Sequence, residues 1–252
     1  MIRFDNVCKE LNGKAILNGV DFQVREGEIF VIVGPSGAGK SVTLKHMVRL
    51  MTPDSGNVLV QGESISSSEG RELERLRKKF GYLFQGGALL AWLSVVENVA
   101  LPLRENTTMS SCDILEKAHH TLKQVGLGDD AEKLPSEISG GMRKRAGLAR
   151  AIIMDPKIVL YDEPTSGLDP VTARTIDALI DRMRREVGVT SIVVTHDLHS
   201  ALTIGSRIAL LFGGRLVELA TPEAFIQSDN EEARKFLASQ FITQRGPWET
   251  QP

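Results

Sequence analysis

Cysteine is scarce in this sequence, and neither a metal-binding nor a disulfide pattern is present. The 252 residues contain two cysteines, Cys8 and Cys112, which are far apart and form neither a CxxC pair nor a Cys/His cluster. This spacing excludes the common structural zinc sites and a disulfide framework. We therefore expect the chain to work in a reducing compartment.

Long apolar runs and basic blocks are also missing. No stretch approaches the roughly 18 uncharged apolar residues that a membrane-spanning helix requires, and residues 1–5 do not begin the apolar core of a signal peptide. The formal net charge is -2, with no strongly basic segment of the kind that a dedicated nucleic-acid binder carries. The sequence predicts a cytosolic chain that does not bind nucleic acid and that reaches a membrane only through a partner.

The residues that are present have the balance of an ordinary folded protein. Hydrophobic residues make up 42% and charged residues 25%, and 252 residues suffice for one large domain or a domain with a subdomain. Apolar runs at 29–33, 158–161 and 192–194 are typical of buried strands, and helical patterns lie between them, as at 40–51. This alternation predicts an α/β fold with a parallel sheet covered on both faces.

Turn and helix signals complete the outline. Strands are favoured over residues 1–34, with a turn at Asn12-Gly13, and a closing hairpin over 206–220 turns at Gly213-Gly214. Residues 87–156 are mostly helical, with predicted breaks at Pro102 and Pro135, which indicates a helical subdomain. An amphipathic helix is predicted over 231–241, and the aperiodic residues 242–252 are expected to be a poorly ordered tail.

A glycine-rich phosphate-binding motif follows the first apolar run and precedes a helix. Its residues are Gly34-Pro35-Ser36-Gly37-Ala38-Gly39-Lys40-Ser41, which match the P-loop pattern. Glycines let backbone N–H groups approach a polyphosphate, and the helix adds its positive end. Lys40 is suited to neutralise the β and γ phosphates, and the Ser41 hydroxyl to bind Mg²⁺. The motif alone leaves kinases, GTPases, helicases and transport ATPases open.

Acidic residues follow the second apolar run. Asp162 and Glu163 lie at the carboxyl end of a predicted strand, where ligands of open α/β sheets bind. Asp162 is suited to orient Mg²⁺, and Glu163 to polarise the attacking water. The alternative is an acidic surface turn before Pro164.

Two polar residues follow other predicted strands. His196 comes after the third apolar run, where an imidazole can donate to a γ-phosphate, although a residue there also commonly starts a helix. Gln85 directly follows a strand predicted over 80–84, and its side chain can reach Mg²⁺ or the attacking water. Neither residue decides the function by itself.

The order of these motifs along the chain resembles the nucleotide-binding subunits of ABC transporters. The resemblance covers about residues 1–241 and rests on the P-loop, Gln85, Ile138-Ser139-Gly140-Gly141-Met142, Asp162-Glu163, Ser166-Gly167-Leu168-Asp169 and His196. It implies a RecA-like core with an antiparallel β-subdomain and a helical signature subdomain. It further implies ATP and Mg²⁺ as cofactors, with catalytic Glu163, His196 and Gln85, and with Ser41, Gln85 and Asp162 toward the metal.

The same resemblance implies a dimer that sandwiches two nucleotides. The segment Ser139-Gly140-Gly141 precedes a helix predicted over 142–154, and by resemblance it closes on the ATP held by a second copy's P-loop, while Asp169 communicates between the sites. Without the other motifs, this segment would be interpreted as a helix cap. The implied nucleotide-binding residues are Leu11, Gly34, Pro35, Ser36, Gly37, Ala38, Gly39, Lys40, Ser41, Val42, Ser139, Gly140 and Gly141.

The chain departs from the family pattern at two positions. Leu11 stands where an aromatic residue usually stacks on adenine, and Met142 replaces the signature glutamine, which removes an amide near the nucleotide. Glu163 is intact, which favours an active ATPase.

Three segments are similar to the ATPases of Mla/Mce-type lipid transport systems. They are residues 84–90, 96–105 and 140–146, which flank the groove where the family receives its permease, although the apolar stretch 88–103 is also compatible with core packing. This similarity implies phospholipid transport at the cytoplasmic face of the inner membrane. The implied partners are an integral membrane permease, an Mce-type lipid-binding protein and a small accessory protein. The alternatives are an ABC ATPase for a polar solute such as an amino acid, and a soluble ABC protein acting on ribosomes or DNA.

Overall fold

The computed structural model describes residues 1–240. The strands are β1 (Ile2–Leu11), β2 (Lys14–Val24), β3 (Ile29–Val33), β4 (Ser55–Val60), β5 (Glu63–Ser64), β6 (Phe80–Leu83), β7 (Ile158–Asp162), β8 (Thr190–Val194), β9 (Arg207–Phe212) and β10 (Arg215–Ala220). The helices are α1 (Lys40–Met47), α2 (Gly70–Arg77), α3 (Val95–Asn106), α4 (Ser111–Gln124), α5 (Gly140–Ile152), α6 (Pro170–Val187), α7 (Leu198–Ile204), α8 (Pro222–Ile226) and α9 (Glu231–Ser239). Phe241 and the predicted tail 242–252 lie outside the described residues. Over residues 1–240, we find no helix with both the length and the apolar character needed to span a bilayer.

Two compact units make up residues 1–240, and the first comprises residues 1–66 and 194–240. Its antiparallel sheet has the strand order β2-β1-β4-β5. The predicted turn at Asn12-Gly13 is confirmed: both residues have positive φ, 52° and 75°, and Leu11 pairs with Lys14 across it. This left-handed pair suits the twist of a two-residue hairpin.

The core of the first unit is built on an aromatic stack. The ring of Phe22 lies 4.5 Å from that of Phe4 and 5.1 Å from that of Phe30, so β1, β2 and β3 share one apolar cluster. β3 also pairs in parallel with β9, which forms the predicted closing hairpin with β10. The burial of all five residues of β3 fixes the point at which the P-loop leaves the sheet.

The second unit comprises residues 67–193 and contains the strand order β8-β7-β6. β6 and β7 are parallel, with Phe80 opposite Ile158. Every residue of β7 and β8 is buried, which confirms the prediction of buried strands from the apolar runs. Parallel strands with buried residues throughout are those of an α/β fold covered on both faces.

Proline has different effects at the two predicted breaks. Pro135 begins a short 3-10 helix, Pro135–Glu137, as a break requires. Pro102, however, lies inside α3, so the predicted break at Pro102 was wrong. Helix α3 persists because Ser94 and Glu97 form a reciprocal cap at its start and because its apolar face is buried. Tertiary packing thus outweighs the hydrogen bond that proline cannot donate.

Two predicted helix ranges also needed correction. Helix α1 ends at Met47, earlier than the predicted 51, because Arg49 adopts a left-handed φ of 50° that cannot continue the helix. Helix α5 occupies Gly140–Ile152 rather than 142–154 because Ser139 caps it directly.

Candidate functional site

The P-loop of the first unit depends on glycine at specific positions. Gly34, Gly37 and Gly39 have φ of 150°, 80° and 98°. A Cβ on Gly34 would lie 2.2 Å from the Leu211 carbonyl oxygen, and one on Gly39 would lie 2.8 Å from Leu17 Cδ2. Backbone conformation and space therefore disfavour other residues at Gly34 and Gly39, and backbone conformation alone disfavours them at Gly37.

The loop brings positive charge to the start of α1. Lys40 is buried, and its Nζ donates to the carbonyl oxygens of Gly34 at 2.8 Å and Pro35 at 3.1 Å. Gly39 is the N-cap of α1 and has no side chain to cap the first turn, which contains no acidic residue. The helix end and the ammonium together form a cradle that fits the phosphates of a nucleotide. Ser36 and Gly37 are exposed at its rim, and Ser41 and Val42 are half-buried in the first turn.

Other predicted residues of the first unit lie at strand ends. His196 is exposed two residues beyond β8, and it directly precedes Asp197, whose carboxylate caps α7 by accepting from the Ser200 N–H. His196 thus lies just before a helix and also exposes its imidazole. Leu11 is half-buried at the end of β1, where it pairs with Lys14 across the hairpin turn.

The acidic pair of the second unit occupies two different environments at the end of β7. Asp162 is the buried last residue of the strand, and the hydroxyl of Tyr82 lies 3.5 Å from its Oδ2. Burial, followed by the charge of Asp162, raises the pKa of Tyr82 far above its ordinary value, so this phenol keeps its proton. The alternative of an acidic surface turn is wrong, because Asp162 and Glu163 are each only 8% exposed.

Glu163 follows in a left-handed conformation, with φ of 51°. Its carbonyl oxygen accepts from the Nζ of Lys144 at 2.7 Å and from the N–H of Ser166 at 3.3 Å. Positive φ at a residue other than glycine strains the backbone, so neighbouring groups must stabilise this conformation. The sequence motif contains no indication of this strain.

The Ser139-Gly140-Gly141 segment forms the N-terminus of α5. Ser139 is exposed, and its Oγ accepts from the N–H of Met142 at 3.2 Å. A Cβ on Gly141 would lie 2.4 Å from Thr172 Cγ2, so this glycine allows α5 to approach α6 closely. No acidic residue occupies the first turn of α5, whose positive end is therefore suited to an anion.

Asp169 caps α6 rather than standing as an isolated loop residue. Its Oδ1 accepts from the N–H groups of Val171 and Thr172 at 3.0 Å, and its Oδ2 accepts from the Thr172 hydroxyl. These bonds, first that of the Thr172 hydroxyl, lower the pKa of Asp169 below its ordinary value. The carboxylate therefore fixes the Ser166–Asp169 loop to the start of α6.

Gln85 is exposed two residues beyond β6. The residues that follow it are held by α5, because the guanidinium of Arg150 donates to the carbonyl oxygens of Gly87 and Ala88. Arg150 and Lys144 are the functional candidates that sequence reasoning missed. The sequence could have identified them, because they are cations on a helix whose other buried residues are small or apolar, such as Ala146, Gly147 and Ala151.

The sequence is similar to those of known ATP-binding proteins. The chain matches the ABC transporter family over residues 17–166. It is 41% identical over 236 residues to the probable ribonucleotide transport ATP-binding protein mkl of Mycobacterium leprae, covering 94% of this chain and 68% of that protein. It is 37% identical to the intermembrane phospholipid transport system ATP-binding protein MlaF of Haemophilus influenzae, covering 94% of this chain and 90% of that protein.

A solved structure gives the same fold. It is a dimeric post-hydrolysis state of an ATP-binding cassette bound to ADP and Pi, with 33% sequence identity and a TM-score of 0.82. The match covers 88% of this chain and 99% of the solved chain.

Proposed function

Because the chain belongs to the ABC transporter family, as an ATP-binding subunit that hydrolyses ATP, we propose that it powers phospholipid transport through a membrane permease. The observation that carries the lipid assignment is the match to MlaF, which covers nearly the whole of both chains. The relative from Mycobacterium leprae is named for ribonucleotides and is covered over about two thirds of its length. A polar solute is therefore the second candidate cargo.

The two units supply different parts of the proposed ATPase chemistry. In the first unit, residues 34–42 cradle the phosphates, Leu11 contacts the adenine and His196 donates to the γ-phosphate. In the second unit, Glu163 polarises the attacking water and Gln85 assists it. The family resemblance supports these roles, and the buried Lys40 beside the carbonyls of the loop supports the phosphate cradle.

Magnesium is the metal that the family resemblance implies. Ser41, Gln85 and Asp162 offer a hydroxyl, an amide oxygen and a carboxylate, and oxygen donors are those that Mg²⁺ prefers. Over residues 1–240, no cluster of three or more His, Cys, Asp or Glu side chains forms a metal site by itself. When bound, the ion would supply positive charge that offsets the charge developing on the phosphates.

The proposed working state is a homodimer with two ATP molecules between the copies. The Ser139 turn of one copy contacts the nucleotide held by the P-loop of the other, as the positive end of α5 favours. Glu163→Gln is expected to lower ATP turnover about 10²- to 10⁴-fold and to retain an ATP-bound dimer on size-exclusion chromatography. The control is Glu186→Gln at an exposed glutamate of α6. A persistent monomer of Glu163→Gln with ATP would refute the dimer.

The permease surface is proposed on the second unit, in the helical subdomain that we assign to residues 87–156. A groove of about 970 Å³ in the second unit is lined by residues of this subdomain and of the segment before it, among them Phe80, Pro102, Glu105, Asn106 and Met154. Phe84 and Ala88 line the cavity adjoining it, and Trp92 is 75% exposed. Exposed aromatic side chains such as Phe84 and Trp92 are typical of protein interaction sites. The chain is thus proposed to be peripheral, at the cytoplasmic face of the inner membrane.

Cargo is tested on the complex purified with its native permease. ATP-dependent transfer of a fluorescent phospholipid between donor and acceptor vesicles is expected, and the complex with Glu163→Gln is expected to lose it. An Mce-type lipid-binding protein and a small accessory protein are the expected co-purifying partners. ATP-dependent uptake of a labelled nucleotide or amino acid, without lipid transfer, would establish the second candidate instead.

A further inference from the structure

Lys144 places a buried cation against the backbone of the proposed catalytic glutamate. It lies on α5, five residues beyond Ser139, and only 5% of the residue is exposed. Its Nζ donates to the carbonyl oxygen of Glu163 at 2.7 Å and to the Oγ of Ser166 at 3.3 Å. One ammonium therefore holds both ends of the turn that leaves β7.

Lys144 donates its shorter hydrogen bond to the residue of this turn that has an unfavourable backbone conformation. Glu163 has φ of 51°, a conformation that side-chain-bearing residues adopt only when their surroundings hold it. Its carbonyl oxygen has two donors, Lys144 Nζ and the N–H of Ser166. Loss of the ammonium would remove the shorter of these two hydrogen bonds. These donors stabilise the orientation of the peptide from which the Glu163 side chain extends.

A lysine here is costly if its role is only to fill space. Burial of an ammonium carries a desolvation penalty, which an apolar residue of similar length, such as methionine, avoids. That burial lowers the pKa of Lys144 to about 8, while the Glu163 charge opposes the shift. The hydrogen bonds to the Glu163 turn are what the lysine provides and methionine would not.

We propose that Lys144 is a positioning residue for ATP hydrolysis, which holds the Glu163 turn in the geometry that directs its carboxylate at the attacking water. This inference rests on the proposed role of Glu163 as the water-polarising group. Since Lys144 and Ser139 share α5, the helix that begins with the proposed ATP-contacting turn also fixes the catalytic turn. A shift of α5 would thus alter the catalytic turn directly.

The test is a double-mutant cycle measured on the full chain with MgATP. Lys144→Met is expected to lower kcat by about tenfold or more and to change KM by less than about threefold. ATP-dependent dimerisation is expected to remain. In the Glu163→Gln background, Lys144→Met is expected to change kcat by less than about twofold, because the group it positions is already gone. The control is Arg145→Met, which removes a neighbouring cation that binds the carbonyls of Val125 and Gly126, and its kcat is expected to stay within about twofold of wild type.

The proposal is overturned if Lys144→Met retains wild-type kcat, or if it lowers kcat equally in both backgrounds. It is also overturned if the loss appears in KM and dimerisation rather than in kcat. If Lys144→Met does not fold, as judged by thermal unfolding, the same cycle with Lys144→Gln decides by the same criteria. A wild-type kcat in the Glu163→Gln variant would refute the proposed function of Glu163. A low kcat in Glu163→Gln together with a wild-type kcat in Lys144→Met would refute only the role of Lys144.

Discussion

Arg150 Nη2 donates a 2.8 Å hydrogen bond to the carbonyl oxygen of Gly87, joining α5 to the segment that follows Gln85. A second bond, from Nη1 to the Ala88 carbonyl at 2.7 Å, makes the contact a fork. Gly87 has φ of 78°, and a Cβ on it would lie 2.9 Å from the Arg143 carbonyl oxygen. The segment after Gln85 is thus held against α5 by one guanidinium and by close backbone contact.

Arg150→Met is expected to destabilise the protein and to slow hydrolysis. Two carbonyls lose a charged donor, and hydrogen bonds to charged groups contribute about 1.5–3 kcal/mol each, so we expect a loss of about 3–6 kcal/mol in the free energy of unfolding. Urea unfolding and kcat are measured side by side. Arg145→Met is the matched control, since it removes two hydrogen bonds, both from Nη1, to the carbonyl oxygens of Val125 and Gly126. A similar loss of stability with unchanged kcat is expected there, and equal kcat in both variants would contradict a role for the Gln85 segment.

Lys40→Ala is expected to weaken ATP binding by roughly 100-fold or more, because it removes the ammonium that lies among the carbonyls of the P-loop. Titration calorimetry with MgATP measures the affinity. The matched control is Lys45→Ala, on the exposed side of the same helix, for which wild-type affinity is expected. Equal affinities of the two variants would refute the phosphate-binding role of Lys40.

Local patterns in the sequence predicted the parts of the fold that are determined locally. The P-loop and the apolar run of β3 were predictable because strand burial and glycine spacing are contiguous features. Contacts between distant residues were not, since Lys144 is 19 residues from Glu163 and Arg150 is 63 from Gly87. Periodicity contains no information on which carbonyl a buried cation reaches.

The interior proline of α3 shows how a local sequence signal can mislead. A proline signal is local, whereas the packing that overrides it is not: Asn98, buried in the same helix, binds the carbonyls of Leu90, Leu93 and Ser94 and thereby anchors the start of α3. Sequence patterns alone could not weigh this network against the missing N–H of Pro102.

Pro102→Ala is expected to raise the free energy of unfolding by about 1–2 kcal/mol. Alanine restores the N–H that can donate to the Asn98 carbonyl, at the cost of a more flexible unfolded chain. Pro170→Ala is the matched control, because Pro170 stands at the first position of α6, where proline is favourable. Chemical unfolding of both variants is compared with wild type. A gain at Pro170 equal to that at Pro102 would show that helix position does not decide the effect.

Lys144 also predicts a dependence of stability on pH. Burial lowers its pKa to about 8 in the folded protein, against an ordinary value of 10.5, while the Glu163 charge acts in the opposite direction. Between these values the unfolded chain holds the proton and the folded chain does not, so this group makes folding more favourable as pH rises. The free energy of unfolding of wild type, minus that of Lys144→Met, is therefore expected to increase from pH 7 to pH about 9.5.

Urea unfolding of the two proteins at both pH values measures this difference, and Lys45→Met on the exposed side of α1 is the control, for which the difference from wild type is expected to stay nearly constant. A wild-type advantage over Lys144→Met that shrinks as pH rises would mean that folding favours the charged lysine. In that case the hydrogen bond from the Lys144 ammonium to the Glu163 carbonyl would contribute more free energy than desolvation of the ammonium costs. The Glu163 turn would then stabilise the charged form of the lysine.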